Sequence, residues 1–150
     1  MRVVIDADQN GEDLKKVLVP FLRECGHEVV DLAYVAEHPD QSYPDVAYNL
    51  ARRVQAGEFS KGVLICGTGL GMAIAANKLK GVYAGACESI YAAERLAKSN
   101  NAQIIALGAQ VTGSESAKML VKAFVESEFQ GGRSLPKVTR VREIEQEVTG

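Results

Sequence analysis

The segment Cys66-Gly67-Thr68-Gly69-Leu70-Gly71-Met72 sets one thiol at the mouth of a glycine-rich turn. The apolar run Val63-Leu64-Ile65 precedes it, and Ala73-Ile74-Ala75-Ala76-Asn77-Lys78 follows. That order reads as buried strand, turn, helix. Backbone N–H groups at a helix N-terminus attract anions. They also favour thiolate over thiol, which makes Cys66 a candidate general base. The Thr68 hydroxyl and the turn amides then form a cradle for an oxyanion or hydroxyl. The bland alternative is a buried cysteine closing a strand, with glycines chosen for tight packing. Cys25 and Cys87 lack such a setting and read as structural. The glycines are spaced G-x-G-x-G after the third strand, not G-x-G-x-x-G after the first, and no Gly-Lys-Ser/Thr closes the turn. Dinucleotide binding and a P-loop are both disfavoured.

Three other polar groups stand at element ends. Asp8-Gln9-Asn10-Gly11 follows the first strand, with Asn10 expected as a helix N-cap and Asp8 facing a crevice. Ser99-Asn100-Asn101 precedes the fifth strand and reads either as a plain turn or as part of a site. Arg133 and Lys137 follow the Gly131-Gly132 break. Such a pair is usually solvated surface, but near a helix start two cations can hold a phosphate.

The elements that must position these groups alternate throughout. Strands are expected at about 2–6, 28–32, 62–66, 82–86 and 103–107. Between them, Leu14, Val17, Leu18, Phe21 and Leu22 recur at helical spacing, as do Val46, Leu50 and Val54. Pro20 should kink or shorten the first helix, and Gly26 should stop it. A loop spans about 34–43, and further helices cover about 70–79 and 89–98, the latter capped by Ser89. Thr112-x-x-Glu115 reads as a capping box before the stripe Ala117, Leu120, Val121, Phe124 and Val125. Pro136 starts a last helix with Val138, Val141, Ile144 and Val148 on one face, suited to docking on a partner subunit.

This pattern predicts an α/β fold: one doubly wound, Rossmann-like domain over 1–150, with a five-stranded parallel sheet, helices on both faces and a C-terminal docking helix. We expect the strand order 2-1-3-4-5, with a ligand crevice at the carboxyl ends of strands one and three. Asp8 and Cys66 would meet there.

A chain of 150 residues with 47% hydrophobic and 24% charged residues suits such a domain. A net charge of −2 gives no basic footprint for nucleic acid. No apolar run reaches the roughly 18 residues of a membrane span. The opening Met1-Arg2-Val3-Val4-Ile5-Asp6 lacks a signal-peptide layout. Three cysteines at unrelated spacings argue against a disulfide framework and for a reducing, cytoplasmic setting. His27 and His38 are not spaced as metal ligands.

Taken together, these residues resemble the type B ribose-5-phosphate isomerase family, which includes galactose-6-phosphate isomerase subunits. The resemblance spans nearly the whole chain. It is carried by the Asp8 turn, Tyr43-Pro44, Cys66 to Gly71, Ala75-Ala76-Asn77-Lys78, Asn100 and Gly131-Gly132-Arg133. It implies an aldose–ketose isomerase that works through a cis-enediolate without metal or cofactor. Cys66 would move the proton between C1 and C2. Thr68 and the amides of Gly67, Gly69, Leu70 and Gly71 would stabilise the enediolate oxygens. Asp8 and Asn100 would bind sugar hydroxyls, with Gln9, Tyr43 and Ser99 also lining the site. Arg133 and Lys137 would hold the phosphate. The family implies a homodimer or homotetramer with sites at the subunit interface.

Four positions depart from the family's ribose-phosphate enzymes. Gln9 and Ser99 each stand where those enzymes carry histidine, and the second histidine is credited with opening the sugar ring. Ser134 stands where histidine is frequent, and Lys137 where arginine is common. Neither glutamine nor serine shuttles a proton near neutral pH. A tetrose 4-phosphate removes the need, because its O4 carries the phosphate and cannot close a five-membered ring. The run Ser99-Asn100-Asn101-Ala102-Gln103-Ile104-Ile105 and Gly132-Arg133-Ser134 also look like the branch acting on erythrulose phosphates. The expected reaction is isomerisation of D-erythrulose 4-phosphate and D-erythrose 4-phosphate. Ribose 5-phosphate and ribulose 5-phosphate are the alternative pair. A non-catalytic sugar-phosphate-binding subunit is the alternative of another class, disfavoured by the presence of both Cys66 and Thr68.

Overall fold

Four runs rich in Val, Ile and Leu and one short run of small residues pair side by side into one parallel sheet in a computed structural model that describes residues 1–149. The strands are β1 (Arg2–Ala7), β2 (Glu28–Asp31), β3 (Lys61–Cys66), β4 (Ala84–Ala86) and β5 (Ile104–Gly108). The helices are α1 (Glu12–Glu24), α2 (Tyr34–Glu37), α3 (Tyr43–Gln55), α4 (Leu70–Ala76), α5 (Ile90–Lys98), α6 (Ser114–Val125) and α7 (Leu135–Thr149). All four strand pairings are parallel, so helical crossovers must cover both faces. On one face Val3, Ile5, Val63, Ile65, Ile105 and Leu107 meet the buried stripes of α1, α5 and α6. On the other, Val4, Leu64, Ile104 and Ala106 meet α3 and α4.

The strand order is β2-β1-β3-β5-β4, which corrects the expected 2-1-3-4-5. β5 is buried along its whole length and lies beside β3. β4 has three residues and none is buried, so it takes the edge. A strand apolar on both faces gains most from neighbours on both sides, whereas a short exposed strand is a safe edge.

Several local signals are overridden by their surroundings. α1 runs through Pro20 without ending. Pro20 and Lys16 are both on the solvent side, so the Lys16 carbonyl that loses its partner faces water. α1 begins one residue after Gly11, without the expected Asn10 cap. Instead, Asp8 Oδ1 accepts from the N–H groups of Asn10 (3.0 Å) and Gly11 (3.1 Å). The expected capping box is also absent: α6 has Gly113 as its N-cap, which shifts Thr112-x-x-Glu115 out of frame, and Glu115 pairs with Lys118 at 2.9 Å. Ser89 does cap α5, accepting from Ala92 N–H at 3.1 Å. The expected loop over 34–43 contains the short α2.

Lys61, Lys15 and Asp6 are buried charges that the apolar pattern of the sequence does not announce. Lys61, at the start of β3, lies over the Phe124 ring at 4.3 Å, and burial lowers its pKa to about 8. Lys15 is buried on α1 among three carboxylates: Glu12 at 2.8 Å, Asp31 at 2.9 Å and Asp6 at 3.4 Å. Burial opposes its charge, but Glu12 and Asp31 outweigh that and raise its pKa. Asp6 is fully buried at the end of β1. Burial raises its pKa, against the N–H groups of Ala7 and Tyr34 and the Lys15 ammonium.

Removing Lys15 leaves Asp6 buried without a cation. Lys15→Met is expected to lower unfolding stability by about 3 kcal/mol at neutral pH, read as a reduced urea midpoint. The loss shrinks on acidification, because protonating a carboxyl whose folded pKa is raised relieves its cost. The double variant Asp6→Asn, Lys15→Met recovers much of the difference.

Candidate active site

β1 and β3 are hydrogen-bonded neighbours with Ala7 opposite Ile65, so the residues that follow, Asp8 and Cys66, emerge side by side. The Asp8 N–H donates to Ile65 O at 3.1 Å. A Cβ on Gly11 would lie 2.5 Å from the same Ile65 oxygen, so only glycine fits where the Asp8 turn crosses β3. The expected meeting of Asp8 and Cys66 at the sheet's carboxyl edge is therefore present.

The glycine turn is shaped by close approach. Gly69 has φ +82°, and a Cβ there would stand 2.9 Å from the Leu107 carbonyl carbon. A Cβ on Gly108 would meet the Thr68 backbone at 2.6 Å. The turn thus lies against the end of β5, and a Cβ on Gly71 would overlap the Tyr43 ring. Cys66 is 5% exposed, and its Sγ accepts from the Gly69 N–H at 3.1 Å. Thr68 Oγ1 accepts from the Leu70 N–H at 3.3 Å. The N–H groups of Gly67 and Thr68 have no protein acceptor among the described residues. One amide of the turn thus reaches the sulfur, and two others remain available to an oxygen.

Asp8 is 4% exposed, and burial raises its pKa against the bonds from Gly11 and Asn10. Both bonds use Oδ1, so Asp8 also shapes its own turn. Gln9 turns its amide away: Nε2 donates to Pro39 O (3.2 Å) and Gln41 O (2.8 Å), tying down the loop that leads to Tyr43. Tyr43, 40% exposed, opens α3 with its ring against Gly71. Gln110 went unnoticed in the sequence. Its N–H donates to Gly67 O at 2.9 Å, and a Cβ on Gly67 would lie 3.1 Å from its Oε1. Its sequence clue was a polar residue just past the end of a buried strand.

The remaining expected residues lie elsewhere. Ser99, Asn100, Arg133 and Lys137 line one cavity of about 950 Å³, and no residue of the glycine turn lines it. Ala84 and Ala102 place it by the amino ends of β4 and β5. Four residue steps separate the Gly62–Ile104 pair from the Cys66–Gly108 pair, about 13 Å at strand spacing. Within one chain, Asn100 and Cys66 are therefore at opposite edges of the sheet. Asn101 takes the left-handed conformation (φ +53°) that closes the Ser99–Asn101 turn, leaving Asn100 exposed. Asn77 pins the edge strand, donating to Ala84 O at 2.8 Å and accepting from Ala84 N–H at 2.9 Å.

A family model described as Ribose/Galactose Isomerase matches residues 3–141. The chain belongs to the ribose/galactose isomerase family. Among its relatives, it is 45% identical over 141 residues to a D-erythrulose-4-phosphate isomerase of Pectobacterium atrosepticum, covering 94% of this chain and 93% of that protein. It is 38% identical over 146 residues to ribose-5-phosphate isomerase B of Escherichia coli, covering 97% of each. Ribose-5-phosphate isomerase B of Clostridium thermocellum has the same fold, with a TM-score of 0.90, 39% identity and 99% coverage of each chain. Among the described residues of this isomerase, no group of three His, Cys, Asp or Glu side chains is arranged to hold a metal ion. No helix is long and apolar enough to cross a membrane.

Gly71→Ala is expected to push Tyr43 off the turn. Stability should fall by about 1–3 kcal/mol, and the quenching of tyrosine emission by acrylamide should rise as the ring is released.

Proposed function

We propose that this protein interconverts D-erythrulose 4-phosphate and D-erythrose 4-phosphate. The observation that carries the reading is Cys66, whose sulfur already accepts one turn amide while the amides of Gly67 and Thr68 stay open next to it. The Cys66 thiolate removes a proton from C1 of the ketose. The electron pair forms the C1–C2 double bond of an enediolate, with charge on the C2 oxygen. The thiol returns the proton to C2, and the C1 hydroxyl proton passes to the C2 oxygen, leaving an aldehyde at C1. Thr68 and the turn amides hold the enediolate oxygens. A positioned base contributes about 10²–10⁴-fold, so preorganised donors supply much of the rest.

The substrate preference is supported by the relative named for erythrulose 4-phosphate and by Gln9 and Ser99, which stand where the family's ribose-phosphate enzymes carry histidine, the one at the Ser99 position being credited with ring opening. Gln9 binds loop carbonyls through its amide, and the Ser99 hydroxyl accepts from Arg95 at 2.8 Å. A substrate that arrives open-chain needs neither as a proton shuttle. Ribose 5-phosphate is the second reading, favoured by the similarity to ribose-5-phosphate isomerase B.

We further propose that residues 1–150 act as one isomerase domain in a homodimer, in which each site combines the Cys66 edge of one copy with the Asn100, Arg133 and Lys137 edge of the other. Support comes from the separation of these groups within a chain and from the uncovered stripe of α7, where Val141, Ile144 and Val148 are exposed. Asp8 and Tyr43 would contact the sugar from the Cys66 side. A cytoplasmic location suits an enzyme that depends on a free thiol, and Cys25, Cys66 and Cys87 are all unpaired.

The purified protein is expected to show higher kcat/KM for D-erythrulose 4-phosphate than for ribose 5-phosphate; the reverse order replaces the first reading with the second. Cys66→Ala should lower kcat by about 10²–10⁴-fold and stop exchange of the C2 proton with solvent, with the fold unchanged. Co-assembly of Cys66→Ala and Arg133→Ala copies should restore about a quarter of wild-type activity, since half of the dimers then hold one intact site. Activity no higher than the sum of the two parents would place the site within one chain.

A further inference from the structure

The cavity that holds Asn100, Arg133 and Lys137 contains a third cation, Arg95, in the last turn of α5. We propose that Arg95 is a phosphate-binding residue of the isomerase site, and that its guanidinium ties the sugar end of that cavity to the phosphate end. The inference rests on the sugar-phosphate reading above.

The geometry is a bridge. Arg95 Nε donates to Ser99 Oγ at 2.8 Å, beside Asn100. Arg95 Nη2 donates to Gln130 Oε1 at 3.0 Å, at the root of the Gly131-Gly132-Arg133 tail. Gln130 N–H also donates to Lys98 O at 3.0 Å, so the tail is fastened to α5 at two points. Both partners of the guanidinium are neutral. Three of its five donors remain open in the plane of the fork that suits phosphate.

Its charge is also uncompensated. Arg95 is half-buried, whereas Arg133 and Lys137 are exposed. None of the three makes an ion pair among the described residues, and no carboxylate lines the cavity. The nearest acid along the helix, Glu94, pairs with Lys98 at 3.0 Å. The C-terminus of α5 favours a cation in its last turn, but that does not require the side chain to reach Gln130. Three cations lining one cavity without a carboxylate suit a multiply charged oxyanion. The bridge to Ser99 adds a second effect. With its oxygen occupied by Arg95, the Ser99 hydroxyl proton is free to donate to a substrate oxygen.

The test compares Arg95→Gln and Arg95→Lys in the assembled protein. The readouts are binding of inorganic phosphate by calorimetry, its inhibition constant, and kcat and KM for D-erythrulose 4-phosphate. Arg95→Gln removes the charge and is expected to weaken inorganic phosphate binding and raise KM by about tenfold or more. Its kcat should change by less, since the proton-transfer group is untouched. Arg95→Lys keeps a point charge and should hold phosphate affinity within about threefold of wild type. Unchanged phosphate affinity in Arg95→Gln overturns the assignment. So does an equal loss in both variants, which would reduce Arg95 to a brace. If Arg95→Gln fails to assemble, Arg95→Lys decides: retained phosphate affinity supports a charge at this position, and lost affinity overturns it. Failure of the wild type to turn over either sugar phosphate would sink the parent reading instead. The phosphate titration would still report on Arg95 in that case.

Discussion

The ladder between β1 and β3 is the constraint on which the rest depends. It sets Ala7 opposite Ile65, so the chain leaves the sheet at Asp8 and Cys66 side by side. The glycines then follow as a steric consequence. Gly11 must pass the Ile65 carbonyl, Gly69 and Gly108 must let the turn lie on the end of β5, and Gly71 must admit the Tyr43 ring. A single Cβ at any of these positions would push apart the walls of the site. Close packing is therefore what brings the Cys66 thiol, the Thr68 hydroxyl and the turn amides together at one end of the sheet.

Electrostatics complement that geometry at two depths. Asp6, immediately before the turn, is held in the interior by Lys15 and two backbone N–H groups, and it anchors Tyr34 at the entry to α2. Burial raises the pKa of both Asp6 and Asp8, so β1 ends in two carboxyls that the fold must stabilise by hydrogen bonds. At the far edge of the sheet the charge has the opposite sign. Arg95, Arg133 and Lys137 gather there without a carboxylate. The thiol and the cation cluster thus stand at opposite ends of the strands of one chain.

The comparison between expectation and structure divides along a physical line. Ser89 is a correct cap because its bond to Ala92 is local. Pro20 and Thr112 misled because each local preference had a competitor: solvent takes the carbonyl that Pro20 strands, and the chain turns one residue later than Thr112 would require. The strand order departs from expectation because consecutive strands need not be neighbours in the sheet. The full burial of Ile104-Ile105-Ala106-Leu107-Gly108 against the partial burial of Ala84-Gly85-Ala86 puts β5 inside and β4 at the edge. The contrast was visible in the residues, since one run is aliphatic and the other small.

The sequence by itself determined the alternation of strands and helices and the placing of Cys66 and Thr68 on a glycine turn between a strand and a helix, because these depend on periodicity, residue type and short spacing. The tertiary structure alone decided that Asn100, Arg133 and Lys137 share a cavity with Arg95, and that this cavity lies at the edge of the sheet opposite Cys66. It also decided that the Gln9 amide holds a loop. These facts depend on which distant segments pair and in what register. Such long-range choices are set by the packing of the whole core rather than by any short stretch of residues.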